Sequence, residues 1–73
     1  MEIINIALVE VDLNADGTFR KFLRIENSNS YEFLSLPGLS QISFYKEPYE
    51  KLINEGTIVV KEIPNQPQIT YMI

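Results

Sequence analysis

Apolar and polar residues alternate with a period of two along most of the chain, the mark of half-buried strands. From Ile3 to Leu13 the pattern sets Val9, Val11 and Leu13 on one face and Glu10 and Asp12 on the other. The first half of that stretch, Ile3 to Leu8, is apolar on both faces, which predicts a central strand covered on two sides. Asn14-Ala15-Asp16-Gly17 supplies turn residues, and Thr18 to Glu26 predicts the return strand of a hairpin. On that strand Phe19, Leu23 and Ile25 share one face, while Arg20, Phe22 and Arg24 share the other.

The polar run at 27–30 reads as a loop, and Tyr31 to Leu36 as a third strand stopped by the type II turn pair Pro37-Gly38. Gln41 to Tyr45 reads either as a short strand or as an extended lead into a helix. The helix itself is predicted over 47–55. Pro48 suits the first helical position, Glu47 and Glu50 favour the positive end of its dipole, and Gly56 supplies a left-handed stop. Tyr49, Leu52 and Ile53 form one apolar face, and two turns of helix persist only if that face docks on a sheet. Residues 57–63 predict a buried strand, and 68–73 a closing strand after the turn bracketed by Pro64 and Pro67. The order β-β-β-(β)-α-β-β defines an α+β domain, either a small antiparallel sheet or a partly open β-barrel.

Seventy-three residues make one domain with a thin core. Cysteine and histidine are absent, which removes disulfides and the usual ligands of zinc, copper and haem. No cofactor is expected. The 45% hydrophobic content exceeds that of disordered segments, yet no apolar run approaches a membrane span. The start Met1-Glu2-Ile3-Ile4 lacks the basic region of a signal peptide, so a soluble, cytoplasmic protein is expected. A net charge of −4 gives no long-range attraction to nucleic acid or to an anionic membrane.

Asp12, Asn14, Asp16 and Gly17 fall in the order of the first half of an EF-hand loop, and the stretch resembles that family's opening. The second half departs from it. Leu23 stands where the bidentate glutamate belongs, Arg20 brings a positive charge, and both flanks read as strands. Asp, Asn and Gly are also what a hairpin turn uses, and that is the reading adopted, with no metal assigned.

Arg20, Phe22 and Arg24 place cations around a ring on one strand, as single-strand nucleic-acid platforms do, and Tyr31 and Phe33 would extend the surface. The same pattern is that of an ordinary outer sheet face whose arginines pair with Glu10, Glu26 or Glu32. Tyr45 and Tyr49 are candidate anchors for a protein partner. Catalysis lacks its usual parts, with no histidine, no thiol and no phosphate-cradling glycine loop. The expectation is a non-catalytic protein-interaction module: an adaptor, inhibitor or assembly subunit of the kind found among phage and mobile-element accessory proteins. Homo-oligomerisation through an edge strand or the C-terminal segment is expected with it. A single-stranded nucleic-acid binder is the alternative.

Overall fold

The computed structural model describes residues 2–35 and 40–72. The alternating apolar pattern forms β1 (Ile3–Asp12), β2 (Arg20–Glu26), β3 (Ser30–Ser35) and β4 (Gln41–Tyr45), followed by α1 (Lys46–Glu55), β5 (Val59–Glu62) and β6 (Ile69–Met72). Gln41 to Tyr45 is thus a strand. The Pro37-Gly38 turn and the last residue of the closing strand, Ile73, lie outside the described residues.

β1 to β4 run as an antiparallel meander, and α1 then returns the chain to the far side of β1. The spatial order is β4-β3-β2-β1-β5, with β6 also paired to β1. β5 pairs with Val9–Asp12 and β6 with Ile3–Ile6, so β1 is flanked on both edges along most of its length. The sheet is open; its outer strands do not meet to close a barrel.

Directly paired residues point to the same side of a sheet, so the register assigns every side chain to a face. Val9 pairs with Phe22, Ala7 with Arg24, Arg24 with Phe33 and Phe33 with Ile42. That face carries the core of Ala7, Val9, Val11, Phe22, Phe33, Tyr49 and Ile58, with Leu52, Ile53 and Val60 packed against it. Tyr49 docks α1 by stacking on Phe33 at 5.7 Å and meeting Tyr31 at 4.3 Å and Phe44 at 5.8 Å. Five aromatic rings on one side of a small sheet outweigh what aliphatic side chains could bury there.

The helix ends are defined locally. Gly56 adopts φ 73°, its N–H bonds to Ile53 O at 3.1 Å, and Thr57 N–H bonds to Leu52 O at 3.0 Å, a Schellman closure. At the start, Lys46 N–H donates to Asn29 O at 3.0 Å, tying α1 to the β2–β3 turn. The predicted buried strand at 57–63 is shorter and wetter than its sequence implied. Ile58 is buried just ahead of β5, whereas Lys61 and Glu62 are exposed. Only four residues pair, and β5 has no strand beyond it to cover its outer edge.

Candidate functional site

The sheet has a second face, and among the described residues no helix or strand lies over it. Ile6 pairs with Ile25, Leu8 with Leu23, and Leu23 with Leu34, so these five side chains form one aliphatic surface opposite the core. Ile4 continues it along β1, and Ile69 and Tyr71 extend it across β6, each roughly half exposed. None of these residues belongs to the core or packs against it. A central strand covered on two sides was expected from Ile3–Leu8; on the core side Ala7 is buried and Ile3 is 57% exposed, and the opposite face is open. Glu10 sits at one end of this surface between Lys21 on β2 and Lys61 on β5. Lys61 Nζ lies 4.2 Å from the centroid of the Phe19 ring, a cation–π contact that caps the same end.

The basic and aromatic strand is the other way round from its sequence reading. Arg20, Phe22 and Arg24 lie on the inner face, under the helix, and not on an outer face. Phe22 is 3% exposed and meets Phe33 edge-on at 6.2 Å, so its ring presents no surface on which a base could stack. Tyr31 and Phe33 do share that face, as core neighbours. Arg24 pairs with Glu62 at 3.0 Å, and not with Glu10, Glu26 or Glu32, while Arg20 is exposed at the strand end. Tyr45 and Tyr49 separate: Tyr45 is 74% exposed at a corner of the open face, and Tyr49 is 7% exposed inside the core. Only Tyr45 is accessible to a partner.

Asp12 and its neighbours build the turn. Asp12 is 2% exposed, and its carboxylate accepts N–H bonds from Asn14 and Asp16 at 3.2 Å and from Gly17 at 2.7 Å. Asp16 accepts from Thr18 N–H at 2.9 Å, and Ala15 and Gly17 take left-handed φ values of 54° and 91°. Burial pushes the Asp12 carboxyl upward, but the N–H bonds from Gly17, Asp16 and Asn14 outweigh it and hold its pKa below the usual value. Among the described residues no three His, Cys, Asp or Glu side chains gather as a metal site would require.

A cleft of about 330 Å³ opens at the seam between α1 and the sheet, lined by Arg24, Tyr49, Glu50, Ile53, Val60 and Glu62. Its guanidinium is already neutralised by Glu62, and it holds no nucleophile–base pair that would support chemistry. On the helix side, Lys46 Nζ meets Glu26 Oε2 at 3.0 Å and sits 5.4 Å over the Tyr31 ring. The hydrogen bond to Glu26 raises the Lys46 pKa. These contacts fasten the helix start.

The open face was missed because alternation separates the two sides of a strand without saying which one the helix will cover. The aromatic positions held the signal: Phe22, Tyr31, Phe33 and Phe44 fall on one side once the hairpin registers are known.

No family model, curated protein or solved structure matches the chain. No helix among the described residues is long and apolar enough to cross a membrane.

Proposed function

We propose that the chain is a non-catalytic protein-interaction module whose working surface is the open face of its sheet. One observation supports this above the others: Ile6, Leu8, Leu23, Ile25 and Leu34 are contiguous by register and lie opposite the only helix among the described residues. Contiguous apolar surface on this scale marks association, because leaving it in water forfeits about 25 cal/mol per Å². Tyr45 at one corner and the Glu10, Lys21 and Lys61 group at the opposite end give the polar rim typical of an interface.

The test compares baits in the source cell. Wild type and a helix-surface variant, Lys51→Glu, are expected to retain the same bound protein, and Leu34→Glu to lose it while keeping a native circular dichroism spectrum. Equal retention by Leu34→Glu would remove the open face from the function.

A further inference from the structure

We infer that the occupant of the open face is a second copy of this chain, stacked sheet on sheet about a two-fold axis that runs along the strands between β1 and β2. The inference rests on the reading of that face as the interaction surface.

The register itself is self-complementary. A two-fold axis exchanges β1 of one copy with β2 of the other, so each β1 residue comes to lie over the β2 partner it already has within its own chain. Leu8 then meets Leu23 of the second copy and Ile6 meets Ile25, each contact made twice. At the charged end, Glu10 meets Lys21 of the second copy, again twice. Opposite charges face each other there; an axis on β1 itself would set Glu10 against Glu10, and one between β1 and β5 would use Lys61 but overlap only two strands and leave β2, β3 and β4 uncovered.

The area agrees with this occupant. About this axis the two copies overlap over four strand positions, β3 to β5. At a spacing of about 4.8 Å, with eight residue steps of about 3.4 Å, the overlap is roughly 520 Å² in projection. Pleated side-chain surface exceeds its projection, which brings the contact to the roughly 600 Å² per partner at the lower end of specific interfaces. Packed sheets align within about 30°, so their corners diverge and Glu32 and Tyr45 stay in a wet rim. The edge strands offer a poorer route: β6 pairs only four residues, and Ile69 and Tyr71, at 48% and 52% exposure, reach the open face, while Met72 lies beside Ile3 on the other side.

Sedimentation equilibrium on the purified chain provides the test. Wild type is expected to be dimeric at micromolar concentration. Glu10→Lys and Lys21→Glu are each expected to weaken the dimer about tenfold or more by opposing like charges, and the double swap to restore it. Both sites lie away from the core, so circular dichroism should stay native. A wild type that is monomeric at high micromolar concentration overturns the second copy as occupant and leaves the interaction face itself to the bait comparison. A dimer indifferent to both single swaps and to Leu8→Glu overturns the face, and the reading it rests on falls with it.

Discussion

Asp12 is the residue whose removal most directly tests the first hairpin. Its carboxylate replaces water for three backbone N–H groups, and its pKa is lowered in the folded state. A lowered folded-state pKa contributes stability above the unfolded value of 3.8, and that stability is lost as pH falls through the folded one. Asp12→Asn is therefore expected to lower the melting temperature by several degrees at neutral pH and to flatten the acid limb of the stability profile below about pH 4. An unchanged acid limb would show that the turn does not depend on this charge. Arg24 is the contrasting case. Its side chain is 12% exposed, its Nε has no hydrogen-bond partner, and its acidic partner Glu62 keeps a side chain 56% exposed. Arg24→Met leaves that carboxylate in water and fills the same volume, so stability should stay within about 1 kcal/mol of wild type or rise. A loss of several kcal/mol in thermal melts would assign Arg24 a structural role that this geometry does not provide.

At the scale of elements, the helix is held by one side chain and two well-formed ends. Tyr49 contacts Phe33, Tyr31 and Phe44, so Tyr49→Ala should cost about 3–5 kcal/mol. A chain this short has about 4–11 kcal/mol in total, so the variant should melt far below wild type. A cooperative melt near that of wild type would contradict the account of α1. The same cluster sets an alkaline limit. Burial raises the Tyr49 and Tyr31 phenols above the usual 10.0, with Glu26 adding to the rise at Tyr31, and the Glu26 hydrogen bond raises Lys46. Raised folded-state values mean stability that is complete below pH 10 and lost as pH climbs through them. In a Tyr45→Phe, Tyr71→Phe background, which removes the two exposed phenols, phenolate absorbance and loss of helix signal should therefore rise together above pH 10, and independent transitions would contradict that coupling.

The helix was legible in the sequence because Pro48, Gly56 and the Tyr49-Leu52-Ile53 spacing are local features. The first three strands were legible for the same reason, since their turns carry their own chemistry, whereas Gln41 to Tyr45 fits a strand or an extended lead into the helix equally well until its pairing with β3 is known. The sides of the sheet were not. Arg20-Phe22-Arg24 looks solvated when β2 is read alone, and only its pairing with Val9 and Phe33 shows that it lies beneath α1. A long side chain such as Arg24 can hide its stem and pair its head at a rim, which defeats a reading by residue polarity.

For the whole molecule, the two faces of one sheet have different fates. The aromatic face is packed by the chain's own helix, and the aliphatic face is open among the described residues; the proposal is that another molecule covers it. A domain without cysteine and with a thin core gains most by burying that second face, since association adds the apolar area that a longer chain would bury internally. The acidic net charge of −4 opposes indiscriminate association at long range, and in the proposed dimer Glu10 and Lys21 would meet at contact. An isotope-filtered NMR experiment on mixed labelled and unlabelled chains reads that alignment directly. Cross-peaks between Leu8 and Leu23 methyls, and between Ile6 and Ile25 methyls of different chains, are the expected result. Intermolecular cross-peaks confined to the edges at β4 or β6, or none at concentrations where the protein is dimeric, would contradict it.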